Sequence, residues 1–180
     1  MLNRHRRFWL LAVGIMMLGS SIASGQNYPG KPIRIVTAQV GGSQDFGSRL
    51  IAPDLGSALG QPIIVENRSG GTIGGEIFSR ANPDGYTLMY LPTVAAPGVP
   101  GYESTQKAGL FAPAKTPAPI ITRLNREVVV LLQRSDMKEK FFSDGVETVG
   151  TSPQELGAMV KSEIARIGKI IKDVGIKDTE

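Results

Sequence analysis

Apolar and polar positions follow two different periods along this chain, and each change of period predicts an element. Ile33-Arg34-Ile35-Val36-Thr37 is a short β-branched run set between Pro32 and a glycine pair, the pattern of a strand. Past Gly41-Gly42-Ser43, the apolar residues Phe46, Leu50, Ile51, Leu55 and Leu59 fall at helical spacing; Gly60 closes the segment and Pro53 predicts a kink within it. The same unit recurs in shorter form. Ile63-Ile64-Val65 is a second strand, Ser69-Gly70-Gly71-Thr72 a second glycine loop and Ile73 to Ala81 a second helix; Pro83-Asp84-Gly85 is a turn, and Thr87 to Tyr90 a third strand. Strands and helices alternating through short glycine connections predict βαβ units. The expected class is therefore α/β, a mainly parallel sheet flanked by helices and joined by right-handed crossovers.

From Leu91 to Pro119 the pattern breaks down. This stretch holds Pro92, Pro97, Pro100, Pro113, Pro117 and Pro119, and only Gly109-Leu110-Phe111-Ala112 reads as a strand. So long an irregular segment is unusual inside a compact domain. Helical spacing returns from Ile120 to Gln133, with Thr116-Pro117 as its start, and again from Asp136 to Phe142; Val146 to Val149 reads as a last strand. The final helix has the strongest start signal in the chain. Ser152-Pro153-Gln154-Glu155 combines an N-cap serine, a first-turn proline and a capping-box glutamate. Leu156, Met159, Val160, Ile164, Ile167, Ile170, Ile171 and Val174 then form one apolar stripe, while Lys161, Arg166, Lys169 and Lys172 lie mainly off it, as on a solvated face.

The N-terminus changes how the composition is read. Arg4, Arg6 and Arg7 precede an apolar run from Phe8 to Leu18, and small residues follow at Ala23-Ser24-Gly25, which together predict an export signal cleaved near Gly25. The run is shorter than the roughly 20 residues that span a bilayer, so no stable membrane anchor is expected after cleavage. The whole chain has 20 Lys+Arg and 16 Asp+Glu, but three of the basic residues belong to this leader. The mature part is thus nearly neutral and has no basic cluster with interleaved aromatics, which argues against nucleic acid. Its only His and Trp (His5 and Trp9) also lie in the leader, and Cys is absent. That excludes Ser-His and Cys-His nucleophiles, a histidine base, imidazole or thiolate metal sites, disulfides and a lipid-modified cysteine. We expect no enzyme activity, no cofactor and no metal.

The chemistry that remains lies in the two glycine loops. In an open α/β sheet, ligands bind beyond the carboxyl ends of the strands, where backbone N–H groups and helix N-termini converge on an anion. Gly41, Gly42 and Ser43 fit that place, as do Ser69, Gly70, Gly71 and Thr72. Glycine permits close approach, and the hydroxyls donate or cap. The same loops also read as plain βα turns, and neither matches a phosphate-loop or dinucleotide fingerprint. Asp45, in the first turn of its helix, serves the positive dipole end or a ligand. Arg68, in Glu66-Asn67-Arg68, either pairs with a carboxylate ligand or braces a neighbouring loop. Tyr86 and Tyr90 flank Leu88 at the alternation of a packed strand.

Several of these segments together resemble one family. They are Tyr28-Pro29-Gly30-Lys31-Pro32-Ile33-Arg34-Ile35-Val36, Gly41-Gly42-Ser43-Gln44-Asp45, Leu59-Gly60-Gln61-Pro62-Ile63-Ile64-Val65-Glu66-Asn67-Arg68 and Asn82-Pro83-Asp84-Gly85-Tyr86-Thr87-Leu88. They resemble the N-terminal part of the Bug family, the periplasmic solute-binding receptors of tripartite tricarboxylate transporters. Pro92-Thr93-Val94-Ala95, Val99-Pro100-Gly101-Tyr102-Glu103, Gly109 to Pro117, Arg123-Leu124-Asn125 and Gly157 to Lys177 resemble its C-terminal part. Family members are about twice as long, on the scale of two domains. The resemblance implies a type II periplasmic-binding fold with one lobe present and most of the second missing, the two blocks being joined near Tyr90-Leu91. Residues 26–90 and 109–180 would build lobe one, with 91–108 as junction.

The resemblance also implies a function. It points to an exported, periplasmic binding protein for small carboxylates that works with the membrane components of a tripartite transporter. The ligand loops by position are Gly41, Gly42 and Ser43 with Asp45 behind, and Ser69, Gly70, Gly71 and Thr72. Here Gln39-Val40 replaces the usual prolines and Ser69-Gly70-Gly71-Thr72 a common Pro-Gly-Ala-Gly-Gly run. Without the second wall, binding is expected to be weak or absent. A single-lobe interaction module, or a remnant without function, stays open beside this reading.

Overall fold

A computed structural model describes residues 27–69, 73–93 and 107–173. The expected export leader, the loop residues Gly70, Gly71 and Thr72, the junction stretch 94–106 and the end of the chain from Val174 lie outside the described residues. In chain order the elements are β1 (Ile33–Thr37), α1 (Ser43–Leu59), β2 (Ile63–Asn67), α2 (Ile73–Ser79), β3 (Thr87–Thr93), β4 (Lys107–Phe111), α3 (Ala118–Gln133), α4 (Ser135–Ser143) and α5 (Pro153–Asp173). The strands form one sheet in the order β2-β1-β3-β4. β1 runs parallel to both β2 and β3, and β4 closes the other edge antiparallel to β3. The chain is α/β with a mainly parallel sheet, as the alternation predicts.

Side-chain alternation along β1 divides the sheet into two faces. Ile33 and Ile35 are fully buried with Ile51, Leu55 and Leu59 of α1, Leu88 of β3, and Ile120, Leu124 and Leu131 of α3. Each such buried aliphatic contributes about 1.5–3 kcal/mol, so this layer is the main source of stability. Val36 points to the opposite face, where Gly74 of α2 packs against it and Met89. Pro53 lies inside α1 without dividing it, and Gly60 ends the helix in the left-handed conformation at φ 72, donating to the carbonyls of Gly56 and Ser57.

The Tyr28–Val36 segment is tied to the Asn82–Leu88 segment by hydrogen bonds. The Tyr28 hydroxyl donates to the Gly85 carbonyl at 2.7 Å, and the Gly30 N–H donates to the Tyr86 hydroxyl at 2.8 Å. Lys31 stands 4.3 Å over the Tyr86 ring, a cation–π contact. Arg123 of α3 donates to the Tyr28 carbonyl. The segment before β1 is therefore clamped to the turn before β3.

Several sequence expectations need correction. β3 runs on to Thr93, three residues into the proline-rich stretch, because Leu91 to Thr93 pair with β4 instead of turning away. Val146 to Val149 is not a strand: Val146 donates to the Phe141 carbonyl, Thr148 donates to the Leu132 carbonyl, and the segment is a strap along α3. Phe46 is 39% exposed and faces away from the buried stripe of α1. The second helix stops at Ser79, two residues short of the expected Ala81. The capping box of α5 forms as predicted, with Ser152 N–H to Glu155 Oε2 at 2.7 Å and Glu155 N–H to Ser152 Oγ at 3.2 Å. None of the described side chains in its apolar stripe is buried, however, and Ile164 is 66% exposed.

Candidate functional site

The candidate site is built at the carboxyl ends of β1 and β2. β1 ends at Thr37, and the chain turns through Gly41 at φ 80 before Gly42 caps α1 in extended conformation. Within that turn the Gly42 N–H donates to the Gln39 carbonyl at 3.3 Å, and the first helical bond runs from Phe46 N–H to Gly42 at 2.9 Å. The Gly41 N–H is also taken: it donates to Asp45 Oδ2 at 2.9 Å. Two of the amides expected to face a ligand therefore serve the loop itself. The amides of Ser43, Gln44 and Asp45 are the first of α1 and have no acceptor one turn back, as at every helix N-terminus. Ser43 is exposed beside them.

Asp45 is 4% exposed, and its carboxylate is fully engaged by its own chain. Oδ1 accepts from Arg49 Nε at 2.8 Å and from Asn67 Nδ2 at 2.8 Å, while Oδ2 accepts from Gly41. Its pKa is held below the ordinary carboxylate value, first by the Gly41 N–H, then by Asn67, with Arg49 assisting and burial opposing. The carboxylate stands behind the loop and shapes it.

Asn67, the last residue of β2, ties the second strand into this cluster. Its amide nitrogen also donates to the Ala38 carbonyl at 3.2 Å, and its oxygen accepts from Arg49 Nη2 at 2.8 Å. Beside it, the Arg68 N–H donates to the Thr37 carbonyl at 2.8 Å, so the end of β2 is held to the end of β1. The Arg68 side chain pairs with Glu66, which also meets Arg34 at 3.1 Å. The Arg68 side chain is thus engaged by its own strand. Ser69 follows, exposed, and Gly70, Gly71 and Thr72 of the second loop lie outside the described residues.

Behind the loop the layer between β1 and α1 turns from apolar to polar. Thr37 and Ser48 are fully buried, and the Ser48 hydroxyl donates to the Gln44 carbonyl at 2.7 Å. The Tyr90 ring covers Gly47, where an added Cβ would stand 2.6 Å from the hydroxyl oxygen. Burial pushes the Tyr90 hydroxyl above its ordinary pKa, so it stays neutral. A surface groove of about 670 Å³ lies elsewhere, between α1 and β2 over Ala52, Pro53, Gly56, Pro62 and Ile63. The first candidate loop sits on an open shelf instead, with Gly41 and Ser43 exposed. Among the described residues no cluster of acidic, His or Cys side chains could hold a metal, and no helix is long and apolar enough to cross a membrane.

The i, i+4 relation of Asp45 and Arg49 is readable from sequence, since such pairs face each other on a helix. Asn67 is not. It lies 22 residues from Asp45, and only the parallel pairing of β1 with β2, with Thr37 opposite Asn67, brings them together.

Comparison with known proteins gives a consistent result. The chain matches the family model described as tripartite tricarboxylate transporter family receptor in two segments, residues 48–97 and 89–176. A curated relative from Bordetella pertussis, the protein BugT, is 40% identical over 94 residues, which is 49% of this chain and 28% of that one. A curated UPF0065 protein from Bordetella bronchiseptica is 44% identical over 87 residues, 47% of this chain and 26% of that one. The chain spans little more than a quarter of the length of these relatives. Among solved structures, the periplasmic binding protein BugD superposes with a TM-score of 0.75 at 16% identity, covering 84% of this chain and 100% of that chain. The R. palustris protein Rpa4515, solved with adipate, superposes with a TM-score of 0.71 at 19% identity, covering 82% of this chain and 98% of that chain. At such identities the superpositions establish the fold.

Proposed function

The chain belongs to the tripartite tricarboxylate transporter receptor family, and on that premise we propose that it is an exported, single-lobe carboxylate-binding protein whose affinity is weakened by loss of the facing lobe. Members of this family are solute-binding receptors and not enzymes. The observation that carries the reading is the braced shelf at the ends of β1 and β2. There Asp45 and Asn67 fix the first loop, and the amides of Ser43, Gln44 and Asp45, with no helical acceptor, and the exposed Ser43 lie at the positive end of α1. Gly41 and Gly42 give the loop its shape, and Asp45 stands behind it. By their position in the sequence after β2, Ser69, Gly70, Gly71 and Thr72 are the second ligand loop of this proposal. A carboxylate is the natural occupant, and the structurally similar R. palustris protein was solved with one, adipate.

Two features support the truncation. The family match comes in two segments that overlap at 89–97, and β3 and β4 pair there as an antiparallel hairpin across the expected junction. In a two-lobed receptor, closure buries the ligand between two walls. With a single wall the ligand keeps one face in water, so affinity falls into the millimolar range. Cleavage near Gly25 would release the lobe to the periplasm, where the transporter's membrane components are its partners. Isothermal titration of the purified mature protein with adipate tests the proposal: weak saturable heat is expected, and no heat at tens of millimolar would overturn it.

A further inference from the structure

We propose that Asn67 is a positioning residue that holds the first loop of the shelf from the end of β2, so that this loop does not keep its geometry without it; this rests on the carboxylate-binding reading above. The chemistry of the position is specific. Both N–H bonds of the Asn67 amide are used, one on Asp45 Oδ1 at 2.8 Å and one on the Ala38 carbonyl at 3.2 Å, and its oxygen accepts from Arg49 at 2.8 Å. Only a carboxamide of this length offers two donors and an acceptor there. Asp supplies acceptors alone and sets a second carboxylate against Asp45; Ala leaves Asp45, Ala38 and Arg49 each short of a partner.

The position in the chain gives the residue its reach. Asn67 ends β2 two residues before the second loop begins at Ser69, while its partners Ala38, Asp45 and Arg49 belong to the first loop and to α1. The Asp45 carboxylate that it orients is the group that holds the Gly41 N–H, at the residue where the first loop turns through a positive φ. Asn67 thereby acts on the shelf through Asp45, without touching the ligand itself.

Amide hydrogen exchange in wild type, Asn67→Ala and Asn67→Asp reads the clamp directly and needs no ligand. The expected result is roughly tenfold faster exchange at Gly41 in Asn67→Ala, with the amides of Ile35 and Leu88 unchanged. In Asn67→Asp the loop loosens at neutral pH and tightens again, after correction for intrinsic exchange, when acid protonates the new carboxyl and gives it a donor. Unchanged exchange at Gly41, or equal acceleration at Ile35 and Leu88, would overturn the proposal, since the side chain would then be idle or merely structural. Thermal shift with adipate is the second readout. A wild-type shift that vanishes in Asn67→Ala supports positioning, and a shift retained in that variant contradicts it. If the wild type shows no shift, the carboxylate reading fails while the Gly41 exchange still decides the clamp.

Discussion

The Asn67 side-chain amide donates to Asp45 Oδ1 at 2.8 Å, across 22 residues of sequence, and Asp45 is charged and almost wholly buried. A buried carboxylate with three protein donors is stable only while it stays ionised. Its folded pKa lies below the ordinary 3.8. The stability it contributes is therefore complete above the ordinary value and is lost as pH falls through it toward the lower folded value. We expect Asp45→Asn to cost about 1–3 kcal/mol at neutral pH. The difference from wild type should shrink steadily as the pH falls below 3.8. Chemical denaturation of both proteins across the acid range measures this, and a difference independent of pH would refute it.

Gly85 and Gly60 both adopt positive φ, at 79 and 72. A Cβ at Gly85 would stand 2.5 Å from Ile120 Cγ2 and 2.9 Å from the Tyr28 ring, whereas at Gly60 nothing lies within 4 Å. Gly60→Ala should cost only the left-handed penalty of about 1–2 kcal/mol. Gly85→Ala adds overpacking of roughly 1–3 kcal/mol and displaces the Tyr28 hydroxyl from the Gly85 carbonyl. Urea unfolding of the pair separates the two effects; equal costs would mean that the Tyr28 segment does not pack as described.

Much of the fold is legible in the sequence because its signals are local. β-branched runs place β1 and β2, Gly60 stops α1, and Ser152 with Glu155 starts α5. Long-range outcomes are not legible. The apolar period of α5 gives a face but not whether anything covers it, and the valines at 146 and 149 have strand propensity, yet their segment is held along α3 instead of pairing with the sheet. At the site, glycine spacing locates the loops. It does not show that the Gly41 and Gly42 amides are used internally, since that depends on where Asp45 points and on Asn67 arriving from another strand.

The exposure of α5 leads to a contrast between two isoleucines. Ile164 is 66% exposed, and Ile51 is 3% exposed in the core. Ile164→Lys should change stability by no more than about 0.5 kcal/mol. Ile51→Ala should cost about 2–5 kcal/mol. Thermal unfolding followed by circular dichroism checks both, and a large loss in Ile164→Lys would show that α5 packs its stripe after all.

Charge at the shelf bears on which carboxylates it takes. Arg49 is committed to Asp45 and Asn67, and Arg68 to Glu66, while residues 38–44 and 69–75 contain no Lys or Arg. A second bound carboxylate thus meets no Lys or Arg from either loop. Under the proposed function, hexanoate and adipate should bind within about fivefold of each other, since a distal charge left in water adds little. Citrate should bind no better than either. Competition titration ranks the three, and a clear preference for citrate would contradict this assignment of the wall.

The central claim is that one lobe folds alone and keeps a working, weakened carboxylate shelf. Thermal unfolding of residues 26–180, followed by circular dichroism because the only Trp precedes that span, tests it most directly when run with increasing adipate. A ligand that binds only the native state stabilises it by about 2.7 kcal/mol at a hundredfold excess over Kd. For a chain of this size that raises the midpoint by roughly 5–11 °C. We predict one cooperative transition that climbs only at millimolar adipate. A broad transition unmoved at tens of millimolar would contradict the claim, and a shift that saturates at micromolar adipate would contradict the weakening.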